Sequence, residues 1–546
     1  MSEKELIHEY MQGKISRRDF VKLAGLLGMS LTAIGGALAA CGTPPKATEV
    51  TTGGVVPTVA PVEPAAGADT FVVATSEAVT GNWDPITHTN LGQLIVERGI
   101  FEGFYATNVP PDNPTETVSQ LALSYTQIDD RTFEFKLREG VKFHDGSEFD
   151  AEDAKATIEY YGDTTKPGFF FTQVVFKAEV IDKYTVRAIA EKPSASAFWA
   201  LNWMRMMSAD DIKNGKLSEK PNGTGPYKYV TQEKDSTVCE AHADYWDGAP
   251  KIKNFEFRYI GDVNTRLLAL LAGEVDAAER LNPEQAAVAM AQSDLDVQIV
   301  KGVEPVYVHF RDSKPPFKDN EKLRLAMAHA IDREAVWKIM DTAGYPIYAH
   351  FPPLKLGYVD VPDFPKYDPV KAQALLAEAG YPGGKGLPEL EFNSPVGRYP
   401  KDKEWATLVT AMWRSLGIPV KLVVGDPAAW GDKLYNPDQG HMITCGWCIG
   451  NPEPDLIMFP MWRGGLAAIT FIDDAEINAA LDKENGTVDL EARKKVLAEE
   501  TLPLLAKKMP SIPIAAHNFI TGVNKRNKGF IQYSSGYFGI SKIEKA

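Results

Sequence analysis

The chain has 546 residues, with 58 lysines and arginines against 73 aspartates and glutamates, a formal net charge of −15. That acidic balance excludes nucleic acid as a partner, because phosphate contacts need clustered cations. The length exceeds a single hydrophobic core and predicts two or three domains, and four cysteines are too few for a disulfide scaffold.

Within its first forty-one residues the chain carries a basic pair, Arg17-Arg18, then Asp19-Phe20-Val21-Lys22. Eighteen uncharged residues follow, Leu23 to Ala40, ending in Leu38-Ala39-Ala40-Cys41. A basic segment before an apolar run that closes on small residues is the pattern of an export leader. The arginine pair with its phenylalanine resembles a twin-arginine leader; an ordinary leader carrying the pair by chance is the other reading. Leu-Ala-Ala-Cys resembles a lipobox, whose cysteine becomes the lipid-modified first residue of the mature protein. Residues 1–40 are therefore expected to be cleaved, with Cys41 as the lipidation point. A transmembrane anchor is the alternative. The run barely reaches spanning length, however, and Gly25, Gly28, Gly35 and Gly36 dilute it. The body is expected in the periplasm or on the cell surface, held to the membrane by Cys41.

Residues 41–69 are rich in Pro, Thr, Gly and Ala without an aromatic residue, so they cannot bury a core and read as a tether. The globular part starts at a strand, Thr70 to Ala74. Thr132 to Leu137 alternates at period two and reads as a second strand. Asp150 is placed to cap a helix beginning at Ala151. Asn320 is placed to cap one with Leu323, Met327, Ala330 and Ile331 inward. Asp368-Pro369 opens a further helix that Gly380 ends. Residues 404–416 form another helix, turned by Gly417 into the strand Val420 to Val424. Strands alternating with helices predict an α/β protein.

Several of these stretches resemble the extracytoplasmic solute-binding proteins of ABC importers, family 5, of the oligopeptide, dipeptide and nickel type. The strongest match is Phe135 through Asp153, which reads Phe-Lys-Leu-Arg-Glu-Gly-Val-Lys-Phe-His-Asp-Gly-Ser-Glu-Phe-Asp-Ala-Glu-Asp. Phe101-Glu102-Gly103-Phe104-Tyr105, Gly223-Thr224-Gly225-Pro226-Tyr227, Gly273-Glu274-Val275-Asp276 and Ala330-Ile331-Asp332-Arg333 match in the family's order. So do Tyr367-Asp368-Pro369 and Leu416-Gly417-Ile418. The resemblance implies the two-lobed periplasmic-binding-protein fold of class II, in its large three-domain (cluster C) form, with a ligand cleft between lobes. It places domain I at 70–98, 215–300 and 512–546, domain II at 99–214 and domain III at 301–511. It also implies a monomer without cofactor or catalysis, passing a peptide or other organic solute to a permease.

Peptide-binding members carry an aspartate three residues after a tryptophan, which pairs with the peptide ammonium. Here Trp447 is followed at that distance by Gly450. A buried ammonium needs an anion. Hence either the ligand lacks a free amino end there or another acid serves, with Glu453 and Asp455 as candidates. Asp455 as the cap of a following helix is the competing role. An oligosaccharide or a metal chelate stays open as ligand. Trp447, Trp430, Trp405 and Tyr399 on one side and Trp83 and Tyr105 on the other are candidate aromatic linings, with core packing as the alternative for each. Arg311 and Arg398 are candidate cations for a carboxylate or phosphate, with ordinary salt bridges as the alternative. Cys445-Gly446-Trp447-Cys448 fits a redox pattern, but its entry from a strand puts the cysteines too far apart to pair. A bridge from Cys239 to Cys448 or Cys445 stays open. An exported enzyme on this fold is the reading from another class. No phosphate-loop or His-Glu-x-x-His motif supports it, and no carboxylate pair is marked by its sequence context.

Overall fold

The computed structural model describes residues 3–12, 14–26, 69–87, 91–106, 116–166, 172–447 and 451–546. Cys41, the tether up to residue 68, Cys448 and Gly450 lie outside the described residues.

One mixed sheet of eleven strands runs through the molecule. In chain order its main strands are β1 (Thr70–Thr75), β2 (Tyr227–Gln232), β3 (Ser236–Ala241), β4 (Asn254–Tyr259), β5 (Ala277–Ala278) and β6 (Leu295–Phe310). They continue with β7 (Leu390–Pro395), β8 (Val420–Gly425), β9 (Met442–Gly446) and β10 (Ser511–Asn524). Their spatial order is β8-β7-β9-β6-β10-β5-β1-β4-β3-β2. Two parallel sets stand on either side of the long central strands, with β3 and β2 extending one side antiparallel. β1 is parallel to β4 and β5, and β7 is parallel to β8 and β9. Between them the long strands β6 and β10 pair antiparallel, with register shifts between Lys301 and Pro305 and between Val306 and Tyr307. Each long strand thus serves both sets. β10 is buried almost throughout and β6 from residue 302 onward, as in a sheet covered on both faces.

A separate antiparallel sheet of four strands lies within residues 122–190. The helix Ala151–Gly162 packs on it, and Asp150 caps that helix by accepting from Glu152 N–H, with Asp153 completing a capping box. Asn320, Asp368 and Asp262 cap their helices in the same way. The expected helix at 404–416 is observed at Asp402–Ser415.

The N-terminal helices Glu3–Met11 and Arg17–Leu26 pack onto the body. Leu6, Phe20, Val21 and Ala24 are buried with Leu267, Leu270 and Leu271 of the helix Val263–Ala272. Arg18 Nε lies 3.2 Å from Glu274 Oε1.

The motif residues cluster in space. Gly223 and Gly225 pass so close to residues 99–100 that a Cβ would meet Ile100 O at 2.1 Å and Gly99 O at 2.6 Å. Beside them Glu102 is 2% exposed. It accepts from Tyr245 Oη at 2.8 Å, Thr224 Oγ1 at 2.9 Å and Trp246 Nε1 at 3.0 Å. Burial pushes its carboxyl up to about 7, although the three donors hold it down. The folded state therefore binds this proton more tightly than the unfolded chain does. Its stability contribution is fully present below the ordinary glutamate range and is lost as pH rises toward 7. The loss amounts to on the order of 3 kcal/mol across that window. Melting curves of Glu102→Gln should accordingly fall less steeply between pH 5 and 8 than those of the native chain. An identical pH profile would remove Glu102 from the account.

Candidate functional site

The carboxyl ends of both parallel sets meet around one cavity of about 620 Å³. This is where open α/β sheets place their ligands, and the volume lies within the roughly 300–1,000 Å³ common for small-molecule sites. One side is built from Ser76 to Thr80 after β1 and Tyr259 at the end of β4. Leu91 and Leu94 of helix α1 (Leu91–Ile100) and Trp203 complete it. The other side is built from Arg398 after β7, residues 427–435 after β8, and Cys445 to Trp447 at the end of β9.

Three tryptophans frame the space, and two of them are fixed by their ring nitrogens. Trp430 Nε1 donates to Thr444 O at 2.9 Å and Trp447 Nε1 to Leu456 O at 2.7 Å. Each keeps an apolar face for the cavity while its polar atom is satisfied inside. Among the charged lining residues, Lys234, Asp235 and Asp432 are exposed at the rim. Glu77 and Arg398 are deep, with side chains 4% and 11% exposed, and they form an ion pair across the cavity.

Arg398 is held from several directions. Its guanidinium carbon lies 5.3 Å from the Trp430 ring centroid and 5.1 Å from that of Tyr399. Its carbonyl accepts from Arg280 Nη1 at 3.0 Å, and Arg280 Nη2 donates to the fully buried Glu304 on β6 at 3.0 Å. Its N–H and that of Tyr399 each donate to Asp402 Oδ2 at 3.0 Å. Burial pushes the Asp402 carboxyl up to about 6 despite these donors. Glu77 has a second anchor, because Leu91 N–H at the start of α1 donates to its Oε2 at 3.1 Å.

Of the residues singled out from the sequence, Trp447, Trp430 and Arg398 line the cavity. Tyr399 stands just behind it, its hydroxyl accepting from Gly446 N–H at 2.7 Å. The others are placed elsewhere. Trp83 packs on Tyr229 in the core, and Tyr105 packs against Tyr125 and Phe198. Trp405 is fully buried on the inner face of the helix Asp402–Ser415. Arg311 is also fully buried; it donates to the carbonyls of Ile469 and Lys433.

Glu453 and Asp455, the candidate replacements for the amine-binding aspartate, are turned inward to Arg493. Its Nη2 donates to Glu453 Oε1 at 2.7 Å and to Asp455 Oδ2 at 2.8 Å, and its Nε donates to Glu484 at 2.9 Å. Asp455 also begins the helix Asp455–Trp462, without a side-chain cap bond. Cys239 and Cys445 are free thiols, so the bridge between those two is absent. Burial pushes both up to about 12, which makes neither a reactive thiolate.

Glu77, Trp203 and Tyr259 were not singled out. Glu77 had a usable signal, because it directly follows the first parallel strand. No group of three or more metal-ligating side chains occurs among the described residues. No described helix is long and apolar enough to cross a membrane.

A model of the bacterial extracellular solute-binding proteins, family 5 Middle, matches residues 116–467. Heme-binding protein A of Haemophilus influenzae is 30% identical over 472 residues, covering 78% of this chain and 84% of that protein. The glutathione-binding protein GsiB of Salmonella typhi is 27% identical over 86% of this chain and 93% of its own length. A dipeptide-binding protein from Pseudoalteromonas sp. SM9913 in complex with Met-Leu superposes with a TM-score of 0.78 at 22% identity, covering 87% of this chain and all of that one. The chain belongs to the family 5 extracellular solute-binding proteins. It is therefore an extracytoplasmic substrate-binding protein of an ABC importer and not an enzyme.

Proposed function

We propose that this protein captures a small carboxylate-bearing organic solute, peptides included, by closing its two lobes on it, and hands it to an ABC permease. The observation that carries this reading is the Glu77–Arg398 pair deep in a cavity framed by Trp203, Trp430 and Trp447. A guanidinium on an aromatic face suits a planar carboxylate, and the tryptophans suit an organic body. In this reading domain I is 70–98, 215–300 and 512–546, domain II is 99–214 and domain III is 301–511. The long strands β6 and β10 are the hinge, where the register shift at Lys301/Pro305 interrupts the ladder. Residues 1–40 are the leader, and Cys41 is the lipid anchor. Removal of the leader also removes the helices that cover Leu267 and Leu271.

The test is calorimetric titration of the protein lacking residues 1–40 with glutathione and with Met-Leu, followed by small-angle scattering. Binding of either solute with a smaller radius of gyration supports capture by closure. No heat with either overturns the carboxylate-solute reading, and binding without contraction overturns closure.

A further inference from the structure

We propose that Glu77 is a specificity-determining residue that selects solutes carrying an ammonium and a carboxylate close together, as in an amino-acid head group. The inference rests on the cavity being the ligand site and goes further, to the chemical class of the ligand.

The two deep charges of the cavity neutralise each other. Glu77 Oε1 accepts from Arg398 Nη1 and Tyr399 Oη from its Nε, so a ligand carboxylate that takes the Nη1 edge of the guanidinium displaces Glu77. The displaced carboxylate keeps one anchor, the Leu91 N–H on its other oxygen, which does not compensate a full charge. With a side chain only 4% exposed, it cannot turn to water. An uncompensated charge in such a place costs several kcal/mol. The buried cation bonded to the Arg398 carbonyl is already engaged, because Arg280 holds Glu304. Lys234 lines the cavity only at its exposed rim. The replacement cation therefore comes with the ligand.

Its position follows from the pair itself. Glu77 and Arg398 are in direct contact, so the ammonium and carboxylate that separate them must be neighbours in the ligand. A group bearing both on one carbon fits between them. A dipeptide with its charges at opposite ends does so only if Arg398 leaves its seat on Trp430 and Tyr399. Glu77 thus does from the β1 side what Glu453 and Asp455, held by Arg493, are not placed to do.

The test uses the chain lacking residues 1–40 and four probes. Glutathione and γ-glutamylphenylalanine carry the amino-acid head, N-acetylglutathione lacks its ammonium, and Met-Leu has its charges apart. The native protein should bind the first two about 10–100-fold more tightly than the acetylated form, the worth of one charge-assisted contact. Met-Leu should bind more weakly than both. In Glu77→Gln the preference for glutathione over its acetylated form should disappear, and in Glu77→Asp it should persist. That double comparison isolates the pairing from any general loss of fold. Failure of both head-group probes overturns the proposal, and Met-Leu binding alone would keep the cavity as the ligand site while overturning the head group. Unchanged discrimination in Glu77→Gln would remove Glu77 from recognition.

Discussion

Replacing Arg493 with methionine is expected to lower the thermal midpoint by roughly 10 °C at neutral pH. The side chain is 3% exposed and is the common partner of Glu453, Asp455 and Glu484, none of them more than 3% exposed. Breaking a buried ion pair costs about 3–5 kcal/mol, because the remaining charge is left without compensation. For a domain of this size each kcal/mol moves the midpoint by about 2–4 °C. Three acids around one cation already leave the cluster short of positive charge. Burial pushes Glu484 well above its ordinary range and raises Glu453 as well, with Arg493 holding both down. Without Arg493 these groups must bind protons to stay buried. The deficit of the variant should therefore shrink as pH falls and grow as pH rises. A pH-independent deficit would mean that the loss is one of packing alone. The effect should reach the cavity too, because Trp447 Nε1 is anchored on Leu456 O, the residue after Asp455.

The second large effect falls on binding. Arg398→Met should weaken the affinity for glutathione by at least about 30-fold, since truncating one partner of a buried charge pair commonly costs 2–5 kcal/mol. Arg398→Lys should recover only part of it. Lysine lacks the planar fork and the stacking surface that Trp430 and Tyr399 receive. Calorimetric titration of the three proteins checks the order. Full recovery by lysine would show that only the charge matters.

The fold was largely legible in the sequence because its signals are local. Asp150, Asn320 and Asp368 cap helices where their spacing to the following apolar pattern demanded it. The site was legible in part, for a physical reason. Trp447 and Arg398 sit just past the ends of strands, where side chains are free to enter a cleft, and Trp430 sits in the helix Pro427–Leu434 that follows one. Trp405 has the same residue type but lies on a helix face with Val409 and Trp413, four and eight residues on, and all three are buried. That periodicity was available and argued for the core. The partner of Glu453 and Asp455 was not available: Arg493 lies 38 residues beyond Asp455, and only the folded chain brings them together. Trp203 reaches the cavity from a segment with no strand-end signal of its own.

Capture of a small organic zwitterion between Glu77 and Arg398 is open to direct chemical identification. It is tested most directly by mass spectrometry of small molecules released on denaturing the protein after purification from its native host. A solute bearing a carboxylate with an ammonium beside it is expected. Recovery of a solute with no anionic group, such as a neutral oligosaccharide, would contradict it.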